Sequence, residues 1–401
     1  MNRRMVSTTV LACLLASTAA AAGRVDTPPI PAGCESVGRG TAPATARVPG
    51  EPPFPPVQLE IRTPFEPTAF PAGGRNYLVY ELHLQNFTEA PMALRGIEVF
   101  DPDSAEGRSI ATLAGPGLFD KLVPIGAETL GSDPSLGSGQ RAVAFLCLAF
   151  DGGSTPPNRI GHRVLLEGAV AIGPTIGTRH DPLKVLGPPV RGTDWIADNG
   201  LSITAHHRKG LVVAGGLAQI SRRYAIDWKR SRDGAFFAGD ARAVRSYHAY
   251  GADVVAVADA AVVLAKDGFP DNIPRTAAGF ETAVPMTMET VAGNAVVLDL
   301  GDGQFAYYAH LKPGSLRVRT GDRVRRGQPL AKVGNSGDSR WPHLHFQVTN
   351  GPGILASEGI PYLIDHYRTR TASGDWESHA HEFPLGDRVI DFRVPDSAEQ
   401  P

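Results

Sequence analysis

The stretch Pro342-His343-Leu344-His345-Phe346 carries the most informative side chains of this chain. Side chains two residues apart on a β-strand point to the same face, so His343 and His345 should project together while Leu344 enters the core. Two imidazoles held side by side on a rigid strand can bind a metal ion or transfer protons. The pair therefore predicts metal or acid–base chemistry on a strand.

Further motifs accompany this pair in a fixed order along the chain. They are Gly293-Asn294-Ala295-Val296-Val297-Leu298, Tyr308-Ala309-His310-Leu311, Gly321-Asp322-Arg323-Val324, Arg326-Gly327-Gln328 and Val333-Gly334-Asn335-Ser336-Gly337. Together with the histidine pair, the series resembles the lysostaphin/LytM-type zinc metalloendopeptidases, β-rich enzymes with the duplicated hybrid motif fold that cut peptide bonds in peptidoglycan. The resemblance covers about residues 200–365.

The resemblance implies roles for individual residues by position. His345 would be a ligand of one Zn²⁺, and His310 and His343 would be the two catalytic histidines. The other ligands of the family come from an H-x-x-x-D motif on an earlier strand, and its acid corresponds to Asp227. Hydrolysis would proceed through a water molecule that the metal activates.

The chain departs from the family pattern at the first position of that motif, where Arg223 replaces histidine. A guanidinium stays protonated and has no lone pair for a metal. Catalytic zinc usually has three protein ligands, so Asp227 and His345 are one short. Either His206 or His207 supplies the missing imidazole, or zinc binds weakly or not at all.

Two functions follow as expectations. The first is an exported zinc metalloendopeptidase that cleaves peptide bonds in bacterial peptidoglycan, with peptidoglycan peptides as substrate. The alternative is a degenerate, non-hydrolytic LytM-like domain that binds cell wall or activates another cell-wall hydrolase, and Arg223 favours it. The sequence leaves open which peptide bond is cut.

Short apolar runs punctuated by turn residues predict a mainly β chain. We expect an immunoglobulin-like β-sandwich followed by a LytM-type antiparallel β peptidase domain. Residues 296–300 and 305–310, on either side of Gly301-Asp302-Gly303, predict a hairpin. The predicted segments are a signal peptide (1–22), a Pro/Gly-rich tether (23–56), the sandwich (57–185), a linker (186–200), the peptidase domain (201–370) and a polar, irregular tail (371–401).

The N-terminal residues predict the cellular localisation of the protein. Arg3 and Arg4 precede a short apolar run and the small residues Ala20-Ala21-Ala22, a pattern typical of a secretory signal. We therefore expect an exported protein of the bacterial periplasm or cell envelope, with no transmembrane segment in the mature chain and an envelope protein as a candidate partner. The formal net charge of −2 argues against nucleic acid as a partner.

Three points stay open at this stage. Cys34 and Cys147 would remain after signal cleavage, in a compartment that allows a disulfide, but sequence does not give their separation. The predicted sandwich either covers the peptidase groove or recruits substrate. The oligomeric state is not encoded in any pattern of the chain.

Overall fold

A computed structural model describes residues 27–38, 54–104, 107–125, 134–180, 183–277, 279–386 and 388–393. Strands dominate the described residues, which confirms the predicted mainly β class. The predicted signal peptide, residues 23–26 and 39–53 of the predicted tether and residues 394–401 of the predicted tail lie outside the described ranges. Among the described residues, no helix has the length and apolarity needed to cross a bilayer.

The N-terminal unit, residues 35–177, contains two sheets. Its elements are β1 (Glu35–Val37), β2 (Leu59–Arg62), β3 (Phe70–Ala72), β4 (Arg75–Asn86), β5 (Met92–Phe100), β6 (Ser109–Ala114), α1 (Pro116–Phe119), β7 (Leu122–Ile125), β8 (Ser135–Leu136), β9 (Arg141–Phe150), β10 (Arg159–Leu166), β11 (Ala169–Ile172) and β12 (Ile176–Gly177). One sheet has the order β1-β9-β4-β2, with β3 on β4 and β7 on β9. The other has the order β11-β10-β5-β6, with β12 on β10 and β8 on β5.

The two sheets enclose a common apolar core, to which β4 contributes Leu78, Tyr80 and Leu82. The alternate residues of β4, among them Tyr77 and Val79, pack on the C-terminal unit instead. Burial on both faces explains why the centre of β4, residues 77–80, is continuously apolar rather than alternating. The immunoglobulin-like strand order stays a prediction, since β6 pairs with β5 and not with the sheet of β2, β4 and β9.

The C-terminal unit, residues 185–391, is built on one large sheet. Its elements are β13 (Val185–Leu186), β14 (Trp195–Asp198), β15 (Val212–Ala214), β16 (Leu217–Gln219), β17 (Ile226–Arg230), a 3₁₀ turn (Val244–Ser246), β18 (Asp253–Val255), β19 (Ala260–Lys266), β20 (Asn294–Asp299), β21 (Phe305–Leu311), β22 (Arg323–Val324), β23 (Pro329–Lys332), β24 (Leu344–Thr349), β25 (Leu363–Arg370), β26 (Trp376–Glu382) and β27 (Ile390–Asp391). The order is β13-β25-β27-β14-β17-β24-β21-β20-β19-β22, with β26 on β25. Two small pairs, β15–β16 and β18–β23, flank this sheet.

The hairpin predicted around residues 301–303 is confirmed. Strands β20 and β21 pair antiparallel, and Asp299 faces Phe305 across the turn. The turn needs positive φ at Gly301, Asp302 and Gly303, which two glycines and an aspartate tolerate.

Strands form in segments that the sequence assigned to the linker, the polar tail and the tether, so the prediction of an irregular tail is wrong. Trp195–Asp198, in the predicted linker, is a strand paired with β17, and Trp195 is fully buried. Trp376–Glu382, in the predicted tail, pairs with β25. In Trp195–Asp198 and Trp376–Glu382 the alternation of polar and apolar residues is weak. These segments therefore form strands because they pair with the edge of a neighbouring strand, and not because of their own sequence pattern. Glu35–Val37, in the predicted tether, likewise pairs with β9.

A buried ionic cluster joins the two units. Glu81 of β4 is 3% exposed and accepts hydrogen bonds from Arg208 and Arg223 of the C-terminal unit. Arg223 also forms an ion pair with Glu358 at 2.8 Å. Burial by itself raises the pKa of the Glu81 carboxyl, but Arg223 and Arg208 outweigh it and lower that pKa to about 2. The carboxylate therefore stays ionised inside the interface.

We expect this cluster to make the stability of the protein acid-sensitive. The pKa of Glu81 is lowered in the folded state, so its contribution is present above the ordinary value of 4.5 and is lost as pH falls towards 2. Between those pH values the wild type should lose about 3 kcal/mol more unfolding free energy than Glu81→Gln, which cannot titrate there. Urea unfolding of both proteins across pH 2–6 measures the difference, and parallel pH curves would contradict it.

The sulfur atoms of Cys34 and Cys147 are bonded, which answers the question that the sequence left open. The bond ties the segment before β1 to β9 across a sequence separation of 113 residues. Closing a loop of this size restricts the unfolded chain strongly.

The Cys34→Ser/Cys147→Ser double variant should therefore lose about 2–5 kcal/mol of unfolding free energy. Denaturant unfolding of the oxidised wild type and the double variant gives this difference. A reductant serves as the control, because it should destabilise the wild type to the level of the variant and leave the variant unchanged.

Candidate active site

The register of two central strands places the first pair of site residues. Asp227 of β17 lies directly opposite His345 of β24, and His345 lies opposite Ala309 of β21 on its other side. Directly opposed residues point to the same face of a sheet. The neighbours Leu344 and Phe346 point to the other face and are fully buried in the main core. The predicted alternation around His345 is thus confirmed.

The other two predicted histidines lie at strand ends beside this line. His343 precedes β24 and forms a β-bridge with Gly334. His310 lies near the end of β21 with φ of 63°, a left-handed conformation that costs energy in a residue with a side chain. Its backbone N–H donates to Ala292 and its carbonyl accepts from Gly334, at 2.9 and 3.1 Å. These bonds hold the imidazole at the edge of the sheet.

Backbone carbonyls fix the tautomers of three imidazoles. Nδ1 of His310 lies 2.8 Å from the Ser336 carbonyl oxygen. Nδ1 of His343 lies 2.6 Å from that of Trp341. Nδ1 of His207 lies 2.9 Å from that of Asn199. A carbonyl only accepts, so each Nδ1 must donate, and each neutral ring then has an unprotonated Nε2.

His345 is held in the opposite tautomer. The side-chain amide of Gln347 donates its N–H to the Ile354 carbonyl at 3.0 Å, which turns the amide oxygen towards His345. That oxygen accepts from Nε2 of His345 at 2.9 Å. The Nδ1 atom is then unprotonated, and it lies 3.0 Å from Oδ1 of Asp227.

Three imidazole nitrogens surround one carboxylate oxygen. Oδ1 of Asp227 lies 3.0 Å from Nδ1 of His345, 3.2 Å from Nε2 of His343 and 3.5 Å from Nε2 of His207. Oδ2 of the same carboxylate accepts a hydrogen bond from the Asn199 side chain at 2.7 Å. The side-chain amide of Asn199, which lies outside β17 and β24, therefore fixes the orientation of the Asp227 carboxylate.

Such a cluster of lone pairs around an anion is suited to a cation. Tetrahedral zinc with bonds of about 2.0–2.1 Å separates its ligand atoms by about 3.3 Å, close to the spacings around Oδ1. The donor atoms of two groups each lie within 4.8 Å of one another: His310, His343 and His345 in one, and His206, His207 and Asp227 in the other. The residues present therefore fit a divalent metal.

The electrostatics of the site favour neutral imidazoles beside an ionised acid. Burial lowers the pKa of His207 and of His310 well below the ordinary value, so both rings are neutral at pH 7. Burial raises the pKa of the Asp227 carboxyl, but His343 and His207 outweigh it, and the pKa lies well below its usual range. A neutral imidazole and an ionised carboxylate are the ligand forms that metals bind.

Arg223 does not enter the site, at the position where the sequence resemblance predicts a histidine ligand. Its guanidinium is 2% exposed and points into the interface, where it bonds Glu81 and the Gly359 carbonyl. The imidazole beside Asp227 is instead His207, which is buried, while the adjacent His206 is exposed. The sequence had indicated this pair only through its place upstream of Asp227.

The site forms the floor of an open cleft of about 360 Å³. Its walls carry the basic residues Arg222, Lys229, Arg275 and Arg340 and the acidic residues Asp198 and Asp338. The described residues that line it all belong to the C-terminal unit. Of the two roles considered for the sandwich, covering the groove therefore has no support among the described residues.

The sequence profile of peptidase family M23 matches residues 241–354, which contain His310, His343 and His345. Residues 241–354 are a peptidase family M23 domain. Asp227 and His207 lie upstream of the matched segment. Asp227 meets His345 through the pairing of β17 with β24, and His207, in the loop between β14 and β15, contacts Asp227.

Individual relatives match more remotely. The peptidoglycan DD-endopeptidase ShyA of Vibrio cholerae is 33% identical over 79 residues, which are 20% of this chain and 18% of that protein. The chain thus spans about a fifth of the length of this curated relative. The catalytic domain of lysostaphin from Staphylococcus simulans is 21% identical, with 37% of this chain and 80% of that chain covered and a TM-score of 0.22. A zinc-containing peptidase from Vibrio cholerae is 15% identical, with 70% and 80% covered and a TM-score of 0.22.

A close contact between two loops of the M23 domain supports His310. Ser336, whose carbonyl accepts from this imidazole, is followed by Gly337, with φ of 73°. A Cβ atom at Gly337 would lie 2.3 Å from the backbone nitrogen of Gly293. The position therefore requires glycine both for conformation and for space.

We expect Gly337→Ala to cost more stability than a glycine substitution with the same backbone strain. Gly301 is the matched control, because its φ is 76° and an added Cβ would meet nothing within 4 Å. Gly301→Ala should cost about 1–2 kcal/mol of unfolding free energy, and Gly337→Ala about 1–3 kcal/mol beyond that. Urea unfolding measures both, and equal losses would show that the contact with Gly293 relaxes freely.

Proposed function

We propose that this protein is an exported zinc metalloendopeptidase that cleaves peptide bonds in bacterial peptidoglycan. We assign Asp227, His345 and His207 as metal ligands, and His310 and His343 as catalytic residues. His207 thereby takes the place of the motif histidine that Arg223 replaces. Three protein ligands leave one coordination position open, as catalytic zinc requires.

The observation that carries this proposal is the set of lone pairs around Oδ1 of Asp227. Nδ1 of His345 and Nε2 of His207 lie 3.0 and 3.5 Å from that oxygen, and both nitrogens are unprotonated in the neutral rings. The rings of His207 and His345 stand edge to face with their centroids 4.8 Å apart. Without a cation or an added proton, these atoms would repel one another in a buried setting.

The two remaining histidines can handle the protons of hydrolysis. His310 is neutral and directs an unprotonated Nε2 away from the Ser336 carbonyl, so it suits the general base that accepts a proton from the attacking water. Both ring nitrogens of His343 lie beside acceptors, the Trp341 carbonyl at 2.6 Å and Asp227 at 3.2 Å. We therefore assign His343 as the residue that donates a hydrogen bond to the developing oxyanion, a step for which its Nε2 must carry a proton.

When bound, zinc would polarise the scissile carbonyl and lower the pKa of water to about 7. The remaining requirements fall to the protein itself. Asn199 and Gln347 orient Asp227 and His345 through hydrogen bonds of 2.7 and 2.9 Å. Such outer partners typically keep ligands in the productive tautomer and orientation.

The alternative, a non-hydrolytic binding or activating domain, depended on Arg223. A guanidinium inside the metal site would repel a dication, but Arg223 is engaged by Glu81 and Glu358 in the interface. The imidazole of His207 is available in its place. The hydrolytic function is therefore the better supported of the two.

The walls of the cleft suit a peptide that carries carboxylate groups. Arg222 lines the cleft, and its Nε atom is buried without a hydrogen-bond partner among the described residues. Burial lowers the pKa of Arg222, and Asp338 and Asp227 oppose this by favouring its charged form. A guanidinium on the wall of the cleft can donate to a carboxylate or carbonyl of a bound peptide.

Zinc binding tests the ligand assignment directly. The purified mature protein without tag histidines should contain one zinc per chain by elemental mass spectrometry, and His345→Ala and His207→Ala should lose it. His206→Ala is the matched control, because His206 adjoins His207 but is exposed, and it should retain the metal. Loss of zinc in His206→Ala with retention in His207→Ala would reverse the assignment. A wild type that binds no zinc would favour the non-hydrolytic alternative.

Hydrolysis of purified peptidoglycan tests the catalytic assignment. His310→Ala should lower kcat by about 10²–10⁴-fold, because a general base is lost. His343→Ala should lower it by about 10²–10³-fold, because an oxyanion donor is lost. Both variants should still bind zinc.

His366→Ala is the control for this experiment. Its side chain is 76% exposed on β25, outside the cleft, so activity should be unchanged. Wild-type rates in His310→Ala or His343→Ala would exclude the corresponding role.

A further inference from the structure

The residue that completes the proposed metal site lies in a loop without regular structure. The 199–211 loop connects β14 to β15 and contains only turns. Within it, His207 and Arg208 are consecutive and both are buried, at 2% and 1% exposure. The His207 side chain reaches Asp227, whereas the Arg208 side chain reaches Glu81 of the N-terminal unit. Adjacent residues thus join the cleft to the other unit.

Arg208 is inserted between strands of the N-terminal unit. Its Nη1 donates to Glu81, and its Nη2 donates to the carbonyls of Tyr80 and Leu146, each at 2.9 Å. Tyr80 and Leu146 face each other across β4 and β9. The guanidinium also lies 5.2 Å from the ring centroid of Phe145. A planar fork with several fixed donors satisfies all these acceptors at once.

Other anchors of the loop lie on the N-terminal side as well. The N–H of Ile203 donates to the Ala32 carbonyl at 2.8 Å, and Lys209 donates to the Asp120 carbonyl at 3.0 Å. The Ile203 side chain packs with Val143 and Phe145. Turns within the loop, with bonds from Arg208 to Ala205 and from Gly210 to His207, transmit these anchors to the imidazole.

We propose that the N-terminal unit is a structural part of the metal site, and that Arg208, held by Glu81 and two strand carbonyls, is the positioning residue that places His207 beside Asp227. This inference rests on the proposed function. It assigns the sandwich a role that differs from covering the groove or recruiting substrate. A ligand that a family member usually carries on a strand is here supplied by a loop, and the second unit provides the rigidity that the strand would have given.

The affinity for zinc in the full-length protein tests this inference, measured by competition with a chromophoric chelator. Arg208→Gln should weaken zinc binding by roughly 10- to 100-fold, the range found when groups that orient a ligand are removed. Arg208→Lys keeps the charge but cannot reach Glu81 and both carbonyls together, so it should fall between wild type and Arg208→Gln. It also preserves the test if Arg208→Gln does not fold.

Arg223→Gln is the matched control. It removes the other guanidinium from Glu81, but Arg223 lies outside the 199–211 loop. The zinc affinity of Arg223→Gln should stay at the wild-type value, even if the metal-free form of this variant unfolds more readily than the metal-free wild type. Cobalt-substituted protein adds a second readout, because the visible absorption of Arg208→Gln should shift towards that of His207→Ala while that of Arg223→Gln should not.

The outcomes separate the two proposals. A wild type that binds no zinc would overturn the proposed function. Zinc binding in the wild type with equal affinity in Arg208→Gln and Arg208→Lys would overturn the positioning role alone. Equal losses in Arg208→Gln and Arg223→Gln would also overturn it, since general loosening of the interface would then explain the effect.

Discussion

The functional side chains depend on the register of β17 against β24. Asp227 faces His345 in that register, and a shift of either strand by one residue would send its site residue into the core and bring Trp228 or Leu344 to the cleft in its place. The core prevents such a shift, because Ile226, Trp228, Leu344 and Phe346 are fully buried in it on the opposite face. The same burial that stabilises the sheet therefore keeps a carboxylate and an imidazole in contact range.

Around this pair, each of the four imidazoles has one ring nitrogen bonded to an acceptor of the protein, and in a neutral ring the other nitrogen is then unprotonated. Backbone carbonyls accept from His207, His310 and His343, and an amide oxygen accepts from His345. The arrangement is a second layer of polar contacts that specifies tautomers before any metal binds. It is costly without a cation, since buried lone pairs cannot be hydrated, and this is the physical basis for expecting one.

Arginine at position 223, where the sequence resemblance predicts a histidine, has a structural consequence outside the proposed metal site. Arg223 and Arg208 enclose Glu81, and three charges at 1–3% exposure are tolerable only because they pair and are hydrogen-bonded. The position that would have carried a ligand now stabilises the interface between the units. The imidazole is supplied from the 199–211 loop, whose conformation that same interface fixes.

The sequence by itself determined the mainly β class, the hairpin around residues 301–303 and the three histidines of the M23 domain. Periodicity and local motifs encode these features, because neighbours in sequence are neighbours in space. Only the tertiary structure decided that His207 rather than Arg223 adjoins Asp227, and that Glu81 of the other unit holds the adjacent Arg208. Asn199 and Gln347 had no sequence signal either. Their roles come from contacts between loops and strands distant in sequence, which packing of the complete chain alone can set.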